Sequence, residues 1–301
     1  MNHLIEPLSE LQQLISRHCN AGRVVTKIPR VSLVRADAPS IPVQVLYQPL
    51  LCVIAQGSKR AMLGDAVFEY NAAQYLVVSL DLPVSGAVHE ASPEKPYLAF
   101  ALSLDPAMLA SMLLEMSERA DYASPTAAMA VSPITSELLD PVVRLLRLLD
   151  EPRDIAMLAP LLEREILYRL LTGEQGAMLR QIALADSRVS QVSRATDWIR
   201  RNYSQPFSME TLAQVASMSS SSLHRHFKAV TNLSPLQYQK QIRLQEARAR
   251  LLSQQGDAAT IGLAVGYESP SQFGREYSRL FGAPPGRDAA RLRGTPVAEA
   301  V

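Results

Sequence analysis

The sequence predicts an α+β protein in two parts: an N-terminal antiparallel β-barrel with flanking helices, then an all-α C-terminal domain with two helix-turn-helix units. Three observations predict it. A motif near the C-terminus recurs about fifty residues later, a period-two hydrophobic pattern fills the N-terminal third, and the net charge changes sign between the two parts.

The recurring motif occupies residues 212–235 and 261–285. In the first copy Leu212-Ala213 is followed by Ser217-Met218-Ser219, Leu223, Arg225, Phe227, Asn232 and Pro235. In the second, Ile261-Gly262 is followed by Gly266-Tyr267-Glu268, Phe273, Arg275, Tyr277, Gly282 and Pro285. The offset is forty-nine residues before Leu223 and fifty from there on. Each copy supplies a short helix, a compact turn and a second helix anchored on one face by an i, i+4 apolar pair, Leu223 with Phe227 and Phe273 with Tyr277. Ser219 and Ser269 are placed to accept hydrogen bonds from the free N–H groups of the helices they open, and Pro270 suits the first helical position. Asn232 and Gly282 tolerate the left-handed backbone of a helix stop, and each is followed three residues on by a proline.

Between the copies, residues 235–252 read as one helix with Leu236, Tyr238, Ile242, Leu244, Ala247, Leu251 and Leu252 as its apolar or aromatic positions. At ~1.5 Å per residue it spans roughly 27 Å. Successive major grooves on one face of DNA lie about 34 Å apart, so this spacer suits two second helices reading one face of a duplex. Residues 190–293 carry fourteen Lys or Arg against seven Asp or Glu, net +7, whereas residues 1–189 carry sixteen against twenty-one, net −5. The whole-chain charge of +1 hides this asymmetry, which is the electrostatic footprint of a nucleic-acid-binding domain.

Residues 261–287, I-G-L-A-V-G-Y-E-S-P-S-Q-F-G-R-E-Y-S-R-L-F-G-A-P-P-G-R, resemble the C-terminal signature of AraC/XylS-type transcription regulators, and the preceding seventy residues fit the rest of that DNA-binding domain. Two positions depart from the pattern: Gly262 replaces the usual alanine, and the aromatic that usually precedes the final arginine near Arg287 is missing. The resemblance implies base-reading side chains at Ser221, Ser222, His224 and Arg225 in the first unit and at Ser271, Gln272, Gly274 and Arg275 in the second. Arginine grips a guanine edge bidentately and glutamine an adenine edge, each worth about 1–3 kcal/mol of discrimination. Gly274 has no recognition group, so its expected role is close approach of the backbone to the groove. Ser219, Lys228, Ser269 and Arg279 are expected on phosphates, which position without specifying.

From about residue 24 to 104 apolar residues recur with period two, in the runs 43–47, 50–55, 66–70, 74–80 and 97–104. Gly57, Gly64-Asp65 and residues 83–86 separate them, as expected of turns in an antiparallel barrel or jelly roll. Within this stretch R-A-D-A-P from Arg35, Q-G-S-K-R from Gln56 and S-L-D-L-P-V-S-G from Ser79 resemble the N-terminal domain of one subgroup of AraC-type regulators. That resemblance, over residues 28–116, implies a cupin-like effector domain whose mouth is a small-molecule pocket. Tyr47, Cys52, Tyr75, His89 and Tyr97, polar or soft groups on apolar strands, are the pocket candidates, with barrel filling as the alternative for each. Cys52 would sense an electrophile or oxidant if it were a thiolate, but no neighbouring Lys, Arg or cysteine in the sequence activates it. His89 with Glu90 falls short of the histidine cluster of a metal cupin, so no metal and no cofactor is expected.

Residues 1–19 space Leu4, Leu8, Leu11 and Ile15 as an amphipathic helix rather than a secretory signal. Residues 136–173 read as two helices, the second opened by Pro160 and ended by Gly173, and their surplus of leucines predicts a homodimer interface. No apolar run reaches the roughly eighteen residues that cross a membrane. Two cysteines, Cys19 and Cys52, exclude a disulfide framework and a cysteine-rich zinc site. A soluble, cytoplasmic protein follows, with residues 1–184 for effector binding and dimerisation, 185–293 for DNA binding, a hinge at 185–193 and a tail at 294–301. The reading is a sequence-specific transcription regulator that binds double-stranded promoter DNA and a small effector and works with RNA polymerase. The alternative is a cupin-type or thiol-based enzyme fused to a DNA-binding module.

Overall fold

The structure is a computed structural model that describes residues 2–116, 127–183, 187–253 and 256–293. Helix α1 (Asn2–His18) leads into β1 (Gly22–Val25), β2 (Val31–Ala36), β3 (Val43–Tyr47), β4 (Leu50–Gln56), β5 (Ser58–Leu63), β6 (Ala66–Asn71), β7 (Gln74–Val78), β8 (Leu82–Glu90) and β9 (Tyr97–Ser103). Helix α2 (Pro106–Met116), strand β10 (Met129–Pro133) and helices α3 (Ser136–Arg147), α4 (Ile155–Thr172) and α5 (Gly176–Ala183) complete the N-terminal part. The remainder is helical: α6 (Arg188–Arg201), α7 (Met209–Val215), α8 (Ser220–Thr231), α9 (Pro235–Leu252), α10 (Ala258–Ala264), α11 (Pro270–Phe281) and α12 (Pro285–Arg293). Among the described residues, no helix is long and apolar enough to cross a membrane.

The strands form a six-stranded sheet, β1-β2-β9-β4-β7-β10, and a four-stranded sheet, β3-β8-β5-β6, with antiparallel neighbours throughout. Alternation along the strands sorts side chains into two cores. Cys52, Ile54, Leu76, Val78 and Tyr97 join Tyr47, Ala61, Leu63, Tyr70, Val84 and Val88 between the sheets. Leu51, Val53, Ala55, Tyr75, Val77 and Phe100 point the other way, into a core shared with α1 through α5. The Leu11, Leu14 and Ile15 stripe of α1 and the Val142, Val143, Leu145 and Leu146 face of α3 are buried there.

Residues 83–86, expected as a turn, lie inside β8. Pro83 is accepted because at that point β8 pairs with β3 alone, beyond the end of its pairing with β5. Pro160 does not open α4 but sits within it, on an exposed side where solvent can reach the carbonyl it leaves unbonded. The hinge expected at 185–193 is, from Arg188 on, the first turns of α6, capped by Ser187; residues 185 and 186 and the tail 294–301 lie outside the described residues.

The C-terminal repeat folds as two copies of one unit. Leu212, Ala213, Leu223 and Phe227 are buried in the first, and Ile261, Gly262, Phe273 and Tyr277 in the second. The turns use left-handed residues at equivalent positions, Ser217 at φ 55 and Gly266 at φ 96. A side chain at Gly266 would strike the Ser204 carbonyl oxygen at 2.4 Å, so only glycine fits there. Asn232 and Gly282 end α8 and α11 at φ 56 and φ 75, each donating its N–H to a carbonyl four residues back. Helix α9 covers the expected span, opened by a capping box between Ser234 and Gln237. Leu236, expected on its apolar face, is 44% exposed.

The two parts share one core. Leu80, Leu82 and Met129 of the barrel cluster with Val230, Leu233 and Tyr238. The Tyr238 hydroxyl donates to the Asp81 carbonyl oxygen at 2.8 Å, Ala128 N–H donates to the Val230 carbonyl at 3.0 Å, and Arg200 pairs with the Asp81 carboxylate. The β5–β6 turn abuts the end of α8 so closely that a Cβ on Gly64 would lie 2.7 Å from the Asn232 carbonyl oxygen.

Candidate nucleic-acid interface and effector pocket

Helix α8 starts where the Ser219 side chain accepts the Ser222 N–H at 3.3 Å, and α11 where Ser269 accepts the Gln272 N–H at 3.5 Å. Serines expected on phosphate therefore act as caps in the free protein. Burial of Leu223, Phe227 and Val230 turns Ser221, His224, Arg225 and Lys228 to solvent, with Ser222 half-buried beside them. Burial of Phe273, Tyr277 and Phe281 likewise exposes Ser271, Arg275 and Arg279. A rigid aromatic ladder fixes that second face, with Phe273 and Tyr277 ring centroids 5.5 Å apart and Tyr277 and Phe281 4.4 Å apart. Arg225 and Arg275 form no hydrogen bond or ion pair among the described residues.

Gln272 is half-buried, and its side-chain amide donates to Glu276 at 3.3 Å. Glu276 also accepts from Lys240 at 2.8 Å and from the Tyr267 hydroxyl at 2.9 Å. Burial opposes its charge, but these three donors outweigh burial and hold its carboxyl below the ordinary carboxylate value. Glu276 thus engages α9 and the turn, leaving Arg275 to solvent. Gly274 has open space above it, with nothing within 4 Å of where a Cβ would stand.

Sequence reasoning missed two supports of these helices. Arg243, midway along α9, donates to the carbonyls of Tyr203 at 2.6 Å, Gln205 at 2.7 Å and Gly266 at 2.8 Å, tying the entry of the first unit to the turn of the second. Arg248 grips the buried Asp288 carboxylate at 2.8 and 3.1 Å and lies 4.4 Å from the Phe281 ring, while Tyr277 donates to the same carboxylate at 3.0 Å. That network fastens α12 despite the missing aromatic near Arg287. Neither arginine carries a local sequence signal, because both partners are distant in the chain.

The barrel's Gly64-Asp65 turn stands beside the exposed face of α8. A groove of about 410 Å³ is lined by Asp65 and Ala66 on one side and by His224, Arg225 and Lys228 on the other.

Of the pocket candidates, Tyr47, Cys52 and Tyr97 face the space between the sheets. Tyr75 does not: it faces the helix-covered core, because neighbouring strand residues point to opposite faces and the sequence left the register open by one. His89 is exposed at the rim of a cleft of about 210 Å³, lined also by Ser58, Lys59, Arg60, Glu69, Tyr70, Asn71 and Glu90. Burial, against the pull of nearby Lys59 and Tyr97, pushes the Cys52 thiol up to about 11, so it is a neutral thiol at physiological pH. The sequence offered no cation near Cys52; the fold brings Lys59 from the other sheet. Lys59, Tyr70 and Ser58 are not among the pocket residues expected from the sequence, although Lys59 shares its strand parity with apolar Ala61 and Leu63.

Residues 27–178 match the family model described as AraC-type transcriptional regulator N-terminus, and residues 212–291 match that of a helix-turn-helix domain. The HTH-type transcriptional regulator ArgR of Pseudomonas aeruginosa is 27% identical over 150 residues, 50% of this chain and 46% of ArgR. The HTH-type transcriptional activator RhaS of Pectobacterium carotovorum is 32% identical over 88 residues, 29% of this chain and 32% of RhaS. The chain thus spans half or less of the length of these curated relatives. The structure of ToxT from Vibrio cholerae O395 bound to (E)-4-(8-methylnaphthalen-1-yl)but-3-enoic acid superposes with a TM-score of 0.59 at 11% identity, covering 90% of this chain and 99% of that one. An unsaturated-fatty-acid-bound ToxT gives 0.57 at 9% identity, covering 91% and 97%; both are likenesses of fold. With half of its length matched by the family's N-terminal domain and a helix-turn-helix domain following in order, the chain belongs to the AraC-type transcriptional regulators.

Proposed function

We propose that this protein is a sequence-specific transcription regulator that reads two adjacent major-groove segments of promoter DNA and answers to a small-molecule effector held in its barrel. The carrying observation is the pair of exposed, unpaired arginines, Arg225 and Arg275, at equivalent positions of two recognition helices bridged by one 18-residue helix. The net charge of +7 over residues 190–293 supplies the attraction for phosphates. Base contacts fall to Ser221, Ser222, His224, Arg225, Ser271, Gln272 and Arg275, with Gly274 opening the way to the groove; Lys228 and Arg279 take phosphates, joined by Ser219 and Ser269.

Effector binding shifts the population of domain arrangements by preferring one of them. Strand β5 has the pocket residue Lys59 near one end and leads at the other into the Gly64-Asp65 turn against α8, so a change at the pocket has a short path to the reading face. The neutral Cys52 thiol argues against thiol chemistry, and regulation without catalysis is the reading retained. Such a regulator works in the cytoplasm with RNA polymerase. An apolar patch on α4, Met157, Leu158, Leu161 and Tyr168, supports a homodimer.

Selection of fragments from sheared source-genome DNA by the purified full-length protein at physiological salt tests the reading. A shared motif with two contact blocks about one helical turn apart is expected. Enrichment indifferent to sequence would reveal an architectural binder instead.

A further inference from the structure

Glu276 lies on α11 one turn beyond Gln272, and both oxygens of its carboxylate are engaged. Oε1 accepts from the Lys240 ammonium of α9 at 2.8 Å and from the Gln272 side-chain amide at 3.3 Å, while Oε2 accepts from the Tyr267 hydroxyl at 2.9 Å. The turn that supplies Tyr267 is itself fixed. Tyr267 is buried, its ring centroid stands 5.4 Å from that of Phe273, and the Arg243 guanidinium lies 6.0 Å from the same ring. The Glu276 side chain is only 14% exposed and still charged: burial opposes its ionisation, but the three donors outweigh burial and hold its carboxyl below the ordinary carboxylate value. The arrangement is particular to the second unit. Fifty residues earlier the equivalent positions hold His226, packed against Arg188, and Ser222, which has no amide.

An ionised carboxylate accepts and never donates, so it fixes which end of the Gln272 amide faces it. The terminal torsion of a free glutamine is broad and roughly two-fold, which lets its oxygen and nitrogen exchange places. Beside Glu276 the nitrogen is turned inward and one of its two N–H groups is spent. What Gln272 retains for a base is one carbonyl oxygen and one N–H. In the major groove adenine presents an N7 acceptor beside an N6–H donor, whereas guanine presents two acceptors, N7 and O6. An amide with both N–H groups free can donate twice to guanine. One that has given an N–H away matches the adenine edge and not the guanine edge.

We infer that Glu276 is a positioning residue for base reading, which fixes the Gln272 amide by taking one of its N–H groups and so selects adenine over guanine at one base of the second contact block. This rests on the reading of Gln272 as a base contact and deepens it. Lys240 and Tyr267 act behind Glu276, one from the spacer helix and one from the turn, so the base that α11 prefers is tied to how those two elements pack beneath it.

The test is competition binding of the full-length protein to synthetic duplexes of the motif selected from source-genome DNA, with each of the four bases at every position of the second block. Gln272→Ala identifies the position, as the one whose preference it flattens, and adenine is the base expected there in the wild type. Glu276→Met keeps a good helix former and removes both oxygens. It is expected to narrow the adenine-to-guanine ratio at that position about tenfold, the worth of the charged hydrogen bond that guanine binding breaks in the wild type, and to leave other positions unchanged. Loss of a carboxylate near phosphates also raises affinity for every duplex, and that effect cancels in the ratio. Because Glu276→Met strands the Tyr267 hydroxyl, the double variant with Tyr267→Phe is measured beside it. Tyr267→Phe alone leaves the Gln272 contact in place and is expected to keep the wild-type ratio. An unchanged ratio in both Glu276 variants, a shift as large from Tyr267→Phe alone, or guanine at that position in the wild type overturns the inference. A Gln272→Ala protein with unaltered preferences removes Gln272 as a base contact and this inference with it, leaving Arg225 and Arg275 to their own tests. Indifference of the wild type to every duplex removes the sequence-specific reading as well.

Discussion

Arg225 and Arg275 are held ready by their surroundings. Each projects from a helix whose opposite face is buried, and the carboxylate nearest Arg275, Glu276, is occupied by Lys240, Tyr267 and Gln272. Arg275→Ala is expected to relax base preference at one position at a cost of about 1–3 kcal/mol, while Lys228→Ala weakens all sequences alike and lowers the salt dependence by about one charge. Equal losses on every sequence from both changes, in competition binding against single-base variants of the selected motif, would remove the assigned roles. His226 is the buried counterpart of His224, packed against Arg188. Burial, then the Arg188 and Arg225 cations, hold its imidazole below the ordinary value of 6.5. Because the folded state resists protonation more than the unfolded chain, the neutral ring's stability is present above about pH 6.5 and is lost as pH falls from there through the lower folded value. Thermal denaturation of His226→Gln is expected to decline less than wild type over that window; identical profiles would discard the histidine as the cause.

Within elements, the two units differ where they depart from symmetry. Helix α10 carries Gly262 because α11 crosses it closely: a Cβ there would lie 2.8 Å from two Phe273 ring atoms and 3.2 Å from its Cβ. Gly262→Ala therefore sets an overpacking cost of about 1–3 kcal/mol against a helix-propensity gain of at most about 1 kcal/mol. A net loss near 1 kcal/mol is expected by urea denaturation, and a gain would mean that Phe273 yields freely. Helix α12 packs Ala289 into the core of the second unit and is tied there by one buried carboxylate, that of Asp288. Asp288→Ala strands the Arg248 guanidinium, whose side chain is 8% exposed, and removes the acceptor of Tyr277. Breaking such a buried pair costs about 3–5 kcal/mol. Footprinting is expected to lose the contact block of the second unit and retain the first; two intact blocks would show that α12 is dispensable to α11.

At the scale of the whole molecule, Asp81 joins barrel to helices through two of its own groups, its carboxylate to Arg200 and its carbonyl to the Tyr238 hydroxyl. Burial raises the Asp81 carboxyl above its ordinary value even with Arg200 beside it. Arg200→Ala leaves that carboxylate uncompensated and weakens the docking of α6 and α9 on the barrel. A larger radius of gyration by small-angle scattering is expected, and an unchanged one would assign the docking to the apolar contacts of Leu80, Leu82 and Leu233 and to the Tyr238 and Ala128 hydrogen bonds rather than to the ion pair.

The sequence by itself determined what depends on neighbours along the chain: the tandem units, their serine caps and left-handed stops, the spacer helix from Pro235 to Leu252, most of the strand runs, and the solvent-exposed faces of α8 and α11. Each of these is written in local periodicity and in the backbone preferences of single residues. Only the tertiary structure decided which face of a strand is inward. It placed Tyr75 among the helices, moved residues 83–86 into a strand, and gathered Lys59, Tyr47, Tyr70 and Tyr97 from separate strands into one interior. It also set Glu276 on Lys240 and Tyr267, Arg248 on Asp288, and Asp65 beside Arg225. Such pairings are long-range and specific to charge and register. A period of two leaves the inward face ambiguous by one residue, and a buried charge finds its partner by packing, which no stretch of neighbouring residues records.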